Sequence, residues 1–598
     1  MTVTTLEPQP QRHATRPQEV LTTIAVWLRR DWLVLLAFML LALALIYPVP
    51  LAPRTTIPGQ GFGDNVQHVY ITGWMAQAPL MGQSPFVDPR LNYPYDLALA
   101  TTEIPYLAIL LTAPVGWFGG TILHYNMLIW LFTWLSGYIV YRWLLSVTNS
   151  QIGAIVGGLA FLLTPYRVSH SYGHLNIVAT WSMPLFFWGL DTALRQPQLR
   201  WTWRIALMVL VTFLLGSSSQ YYLMMSLLLG ALYALLTLLP LLRERFTSAI
   251  ARGIPVAAGT LVGAVLGALP YLLMLDDRTL EQYEIEWTRN WSLDPINFIL
   301  PYQDHLLWGA WVDQLRPEPL WVEKTMYLSV VALILAGLAF AWRDYAHRWQ
   351  RMVWLIVASV AAVLALGTDL HLNNVPVQAD APFWLPAYYL AQLPFVDMMR
   401  VWARFGIITI LFVALLAGVG AAWLIQRYPQ RQRLVGALLC ALIAIDLMPS
   451  GVGTVRLTPR PIDLWLAEHP DDFAVGFMPA EREVLNYAAM YGSLYHAKHM
   501  PAFNHPFHRP DTYVHFAYWA NAFPDLHATY MLRCMDLRYL ILDTHRYDGT
   551  LYNQPHWDQL AAAIAANPQV YEVTRIEPFV VLGFQGPAPD LSLCPPVP

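Results

Sequence analysis

Asp64 and His68 stand four residues apart in the stretch Gly61-Phe62-Gly63-Asp64-Asn65-Val66-Gln67-His68. If a helix begins at Asp64, the two share one face. A carboxylate placed just outside a membrane span, with a histidine one turn on, has the chemistry of a proton acceptor for a hydroxyl nucleophile. The competing reading is a helix cap, in which the Asp64 carboxylate accepts the free amides of the first turn.

Other candidates surround it in the sequence. His170, His174 and Asn176 lie in Pro165-Tyr-Arg-Val-Ser-His-Ser-Tyr-Gly-His174-Leu-Asn176, with Arg167 in the same run. Two histidines at i and i+4 suit a divalent metal, but Gly173 interrupts a regular helix, and contact with a phosphate or sugar fits better. No motif requires a metal or any other cofactor. Arg400 and Arg404 are also one turn apart, and guanidinium groups bind phosphate in bidentate fashion. Glu103, Asp304 and His305 are further polar candidates for the lining of a site. His496, His499, His505 and His508 form a histidine-rich run, but their spacing matches no standard structural zinc site and prolines break it up. Walker, dinucleotide-glycine and HExxH patterns are absent.

The elements that must position these residues are set by composition. Of 598 residues, 56% are hydrophobic and 12% charged, against about 25% charged in a soluble protein. Lys and Arg number 35 against 39 Asp and Glu, with no basic tail or stripe, so nucleic acid is not an expected partner. The 25 Trp and 31 Tyr suit interfacial belts. The expected fold is an α-helical polytopic membrane protein of about eleven spans, in the plasma (inner) membrane. The first span, about Trp32 to Val49, reads as a retained anchor. Tyr106 to Gly119 is too short to cross and carries Pro114, so it is expected at the outer interface. The later spans fall near 122–143, 151–165, 175–193, 204–217, 220–242, 253–275, 326–342, 351–367, 402–425 and 434–449. With that choice five arginine groups, around Arg142, Arg200, Arg245, Arg348 and Arg431, face the cytoplasm. Counting 106–119 as a span would put all of them outside, against the positive-inside rule.

The domains follow. Residues 1–30 form a cytoplasmic tail. Residues 31–449 form the transmembrane domain, with external loops at 51–121, 276–325 and 368–401. Residues 450–598 are polar, with strand-like runs at Leu537–Asp543 and Phe579–Phe584, and read as a small external α/β domain. Cys534 and Cys594 fall in it and can pair if it is outside the cytoplasm.

An N-in first span, a large first external loop with a juxtamembrane Asp, an interfacial helix and an external C-terminal domain resemble the type C (GT-C) membrane glycosyltransferases, which include protein O-mannosyltransferases and lipid A aminoarabinose transferases. Three stretches look like a bacterial branch of that group: Tyr172-Gly-His-Leu-Asn176, Asp294-Pro-Ile-Asn-Phe-Ile-Leu-Pro301, and Leu393-Pro-Phe to Met399-Arg-Val-Trp-Ala-Arg-Phe405. The resemblance implies a polyprenyl-phosphate sugar donor reached from the bilayer, a glycan, lipid or protein acceptor, and inverting transfer. Asp64 would be the base and Arg400 and Arg404 would hold the donor phosphate. His68, Glu103, Arg167, His170, His174, Asn176, Asp304 and His305 would line the site. Many members carry two adjacent acids in the first loop, whereas here Asp64 is followed by Asn65. A non-catalytic polyisoprenoid-lipid carrier, or an assembly partner for a surface polymer, would use the same apolar groove and basic rim without a base.

Overall fold

The computed structural model describes residues 17–274, 285–315, 322–342, 345–378, 383–393, 396–397, 399–480, 483–505, 509–549, 554–587 and 589–596. Glu281, Glu284, Arg343 and His508 lie outside them.

Helix α1 (Pro17–Leu45) leads into a first loop that holds a strand, Thr56–Pro58, and then α2 (Asp64–Gln77) and α3 (Tyr106–Gly119). Then come α4 (Thr121–Thr148), α5 (Gln151–Leu162), α6 (Pro165–His170), α7 (Leu175–Val178), α8 (Ser182–Arg195), α9 (Trp201–Gly216), α10 (Gln220–Glu244) and α11 (Phe246–Leu272). Helices Tyr345–Ala365, Gly406–Arg427 and Gln432–Leu447 follow the next two loops. Among the described residues six helices are long and apolar enough to cross a membrane. The expected span at 175–193 is broken instead, with α7 separated from α8 at Ala179–Trp181.

Helix Gly406–Arg427 is buried along nearly its whole length and forms the centre of the helical core. Arg142 and Tyr141, near the end of α4, reach Asp31 at 3.0 Å each. At the other end Asn126 Nδ2 donates to the carbonyls of Pro53 and Thr56 at 2.9 and 2.8 Å. These contacts make α1 and α4 antiparallel neighbours. Helix α3 lies between them in the chain as a separate 14-residue element that ends at Gly120, whose φ of +89° favours glycine.

Packing of α9 on α11 rests on glycine. A Cβ at Gly259 or Gly263 would stand 2.6 Å from the carbonyl oxygens of Ile205 or Val209, and one at Gly267 would meet Gly216 Cα at 2.9 Å. Small residues every fourth position let two apolar helices approach backbone to backbone. Elsewhere on α11, Leu261, Val262, Val265, Leu266 and Leu269 are exposed.

The C-terminal part builds a four-stranded sheet in the order Ala474–Met478, Leu537–Asp543, Phe579–Phe584, Val570–Ile576, with the first pair parallel and the others antiparallel. A second hydrophobic core unites this sheet with α2, α3 and the start of α4. Strand Thr56–Pro58 pairs antiparallel with Thr454–Arg456. Asp88, fully buried, accepts from Tyr70 Oη at 2.6 Å and is bridged by Arg90 at 2.7 Å, and Arg90 Nη1 donates to Ser493 O at 2.9 Å. First loop and C-terminal region therefore share one core. A disulfide joins Cys534 to Cys594.

Candidate active site

Asp64 opens α2, but it does not cap it. The cap position is Gly63, and no side chain caps this end. Asn65 organises the turn instead: its Oδ1 accepts from Gly63 N and Val66 N at 3.0 and 2.9 Å, and its Nδ2 donates to Gly61 O and Pro58 O at 3.0 and 3.3 Å. The Asp64 carboxylate is left to face outward from the helix start. Its side chain is 44% exposed and its Oδ2 lies 3.4 Å from His174 Nε2.

The turn carrying His174 sits directly on α2. A Cβ at Gly173 would stand 3.2 Å from Asp64 Cβ, so glycine is what allows this approach. His174 Nδ1 in turn lies 3.2 Å from His170 Nδ1, and His170 Nε2 lies 3.5 Å from Glu323 Oε2. Glu323 receives Arg404 in bidentate fashion, Nε to Oε2 at 3.0 Å and Nη2 to Oε1 at 2.5 Å. Arg404 also stacks over the Tyr221 ring at 4.2 Å. Next to this row Glu103 accepts from Asn176 Nδ2 and Tyr221 N at 2.7 Å and from Ser219 Oγ at 3.0 Å.

The electrostatics follow from burial and charge. Burial pushes the Asp64 carboxyl up, but the His174 contact and the charges of His174, His68 and His505 outweigh it and hold it below its ordinary value. Burial holds His68 down to about 4, although Asp64 works the other way. Its Nδ1 is buried without a hydrogen-bond partner among the described residues. Burial raises Glu103 even against Arg404 and its three donors. Burial also acts to raise Glu323, but Arg404 more than cancels it and keeps that carboxyl ionised well below the usual range.

Asp64, His68, Glu103, His170, His174, Asn176 and Arg404 thus converge. Other expected lining residues do not. Arg167 is fully buried, donating to Thr180 Oγ1 at 2.9 and 2.7 Å and to the carbonyls of Phe161 and Leu162 at 3.1 and 2.6 Å; it closes the end of α5 rather than lining the site. His305 is spent on structure too, with Nδ1 accepting from Leu307 N and Trp308 N and Nε2 against Asp446 O. Asp304 lies with it beside residues 449–450, where its carbonyl accepts from Ser450 N at 2.7 Å. The expected arginine pair is divided. Arg404 is in the helical turn Trp402–Phe405, whereas Arg400 precedes that turn and lies over the Trp291 ring at 5.8 Å. The histidine run scatters as well: His496 Nδ1 accepts from Lys498 N, and His499 pairs with Asp472.

Three participants, Glu323, Ser219 and Tyr221, were missed by sequence reasoning, and His505 was read only as part of the histidine-rich run. Glu323 looked like one acid of a long acidic loop, although it stands just before an apolar run, as Asp64 does. Ser219 and Tyr221 stood in a hydroxyl-rich turn whose polarity between two apolar helices was the available signal. His505 comes from the C-terminal region. Gln67 Nε2 donates to Asn504 O and to Asn504 Oδ1 (3.2 Å), which seats that segment on α2.

His170, His174 and Glu323 offer donor atoms within 4.8 Å of one another, a set suited to zinc or a similar divalent ion. Within this set the hydrogen bond is His170 Nδ1 to His174 Nδ1, whereas His170 Nε2, 3.5 Å from Glu323, is buried without a hydrogen-bond partner among the described residues. His170 turns one nitrogen to Glu323 and the other to His174, while both Glu323 oxygens already serve Arg404.

In fold the chain is similar to an arabinofuranosyltransferase, AftD, from Mycobacteria (TM-score 0.50, 13% identity, 94% of this chain and 40% of that one). It is also similar to the Archaeoglobus fulgidus oligosaccharyltransferase (TM-score 0.53, 10% identity, 91% and 73%). The chain thus spans less than half the length of the arabinofuranosyltransferase. These neighbours give it the fold of the GT-C glycosyltransferases. No curated protein sequence matches it. A family model matches residues 34–448, and the chain belongs to that family, described as Domain of unknown function (DUF6311).

Proposed function

We propose that this protein is a membrane glycosyltransferase that moves a sugar, with inversion, from a polyprenyl-phosphate donor to an acceptor outside the plasma membrane. The observation that carries the proposal is the placement of Asp64. In a GT-C fold it stands at the head of a first-loop helix, relieved of capping by Asn65, partly exposed and in contact with His174. Asp64 takes the acceptor proton as the acceptor oxygen attacks the anomeric carbon. The sugar–phosphate bond breaks, and its electron pair leaves on the lipid phosphate. Arg400 serves that phosphate. Arg404 contributes through Glu323, since two of its donors are already engaged there. Glu103 and Asn176 hold sugar hydroxyls, for which a carboxylate and an amide side by side give both acceptors and donors.

The proposal includes eleven spans, an N-terminus in the cytoplasm, and residues 450–598 as an external domain. The antiparallel pairing of α1 with α4 supports leaving α3 uncrossed, and the Cys534–Cys594 disulfide supports an oxidising location for the C-terminal part.

The test is transfer from radiolabelled polyprenyl-phosphate sugars by purified protein in lipid, with wild type beside Asp64→Asn. Transfer by the wild type should fall by at least about 10³-fold in the variant, with expression and melting temperature unchanged. Retained transfer would remove Asp64 from the mechanism. Lipid binding without transfer by the wild type would favour the carrier reading.

A further inference from the structure

Between α11 and the next apolar helix, a loop segment turns large apolar side chains outward. Leu306, Leu307, Trp308, Trp311 and Leu315 are exposed, Trp308 by 48% and Trp311 by 51%. So many uncovered apolar side chains together mark a contact surface. Helical bonding begins at Trp308, whose carbonyl accepts from Val312 N at 2.9 Å. Gly309 and Val312 then face inward in helix Gly309–Leu315. Trp308, Trp311 and Leu315, spaced i, i+3 and i+7, share the outward face. The two indole rings meet edge to face, with centroids 6.4 Å apart.

The seat of the segment says what covers that face. Leu306 N donates to Met448 O at 3.0 Å, Ser450 N donates to Asp304 O at 2.7 Å, and His305 Nε2 lies 3.0 Å from Asp446 O. The segment is thus fastened to the end of helix Gln432–Leu447. That helix exposes one stripe, Leu434, Leu438, Leu442 and Ile445. Just beyond it Val452 N donates to Tyr47 O at 3.2 Å, which brings in the end of α1. Helix α1 exposes its own stripe, Leu33, Leu36, Leu40 and Leu43, running up to exposed Tyr47. Two apolar stripes therefore end side by side, and the tryptophans continue them. Tryptophan suits that level, with its ring among acyl chains and its N–H among headgroups. Residues 306–315 contain one charged residue, Asp313, and no Lys or Arg. Apolar burial, and not attraction to anionic lipid, is what this face offers.

We infer that residues 306–315 are an interfacial hook whose Trp308, Trp311 and Leu315 face lies in the outer leaflet of the bilayer. The inference rests on the span assignment proposed above, which makes both stripes lipid-facing. The chain runs on from the hook to Glu323, the partner of Arg404, so the bilayer helps to hold that side of the candidate site at headgroup level.

Spin labels on single cysteines test it, in full-length protein in phosphatidylcholine vesicles with Cys440→Ser as background. Labels at Trp311→Cys and at Leu315→Cys should collide more with oxygen than with a water-soluble nickel chelate, at a depth of about 5–10 Å. A label at Asp313→Cys, on the other side of the helix, should favour the nickel chelate. The depth should be the same when phosphatidylglycerol is added. Leu438→Cys reports the stripe of helix Gln432–Leu447. Lipid contact at 438 with chelate access at 311 and 315 would overturn the hook and leave the spans standing. Chelate access at 438 as well would overturn the span assignment and the hook with it. Dipolar broadening between labels on two copies would mark a second chain on this face and overturn the inference, as would insertion that needs phosphatidylglycerol. Two labels read the same face, so the loss of one variant to misfolding leaves the other to decide.

Discussion

Asp64 is available for chemistry because its neighbour does the structural work. The family resemblance made Asn65 look like a missing second acid, but its amide ties four backbone groups around the helix start, a job that needs both a donor and an acceptor. A carboxylate there could not donate to Pro58 O or Gly61 O. The arginines divide in the same way. Arg167→Met should lower the melting temperature, because it uncaps the carbonyls of Phe161 and Leu162 in a buried place; the cost is about 3 kcal/mol for a buried charged network. Arg400→Gln should raise donor KM. Measured together, the two variants separate support from binding. His68 adds a pH dependence. Its imidazole is held to about 4 in the folded protein against an ordinary 6.5, so unfolding takes up a proton between those values. Its contribution to stability is complete above pH 6.5 and is lost as pH falls toward 4. His68→Gln should flatten the change in melting temperature between pH 7 and pH 5. At this scale the sequence showed Asp64, His170, His174 and Asn176, because their spacing falls at a boundary between apolar and polar runs. It did not show that Arg167 and His305 turn inward, or that Glu323 alone among several loop acids meets Arg404. Glu323 and Arg404 lie 81 residues apart in the chain and His305 and Asp446 141 apart, while Arg167 turns back on carbonyls five and six residues before it.

At the scale of elements, close approach at glycine decides geometry twice. The break between α6 and α7 is where Gly173 lets the histidine turn rest on Asp64. Gly173→Val would push the two apart; transfer should fall steeply, and because Gly173 is buried against Asn65 the melting temperature should fall as well. Gly263→Leu acts on packing alone. It would force α9 and α11 apart at the Val209 carbonyl, and overpacking of this kind costs about 1–3 kcal/mol, read as a lower melting temperature in lipid. The helices themselves were legible from hydropathy, and two strand-like runs coincide with strands Leu537–Asp543 and Phe579–Phe584. The break within the expected 175–193 span was not legible. Asn176 and Thr180 interrupt an apolar run only mildly, and what bends the chain is their bonding to Glu103 and Arg167.

Across the whole molecule, two cores share α4, whose first half lies in one and whose second half lies in the other. One is the helical core around Gly406–Arg427, and the other joins the first loop to the C-terminal sheet. Asp88→Asn should loosen the second by about 3–5 kcal/mol, because it leaves Arg90 buried without its charge partner; proteolysis within the first loop would report it. Sequence periodicity could not reveal this union, since the pairing strands Thr56–Pro58 and Thr454–Arg456 lie four hundred residues apart and are only three residues long. That pairing also sets an order in time. A ribosome finishes the loop bearing Asp64 long before it makes Thr454–Arg456 or Asn504. Until then α2 lacks the partners of Thr56–Pro58 and of Gln67, so the surroundings of Asp64 are incomplete. The seat of α2 is complete only when the last quarter of the chain has arrived.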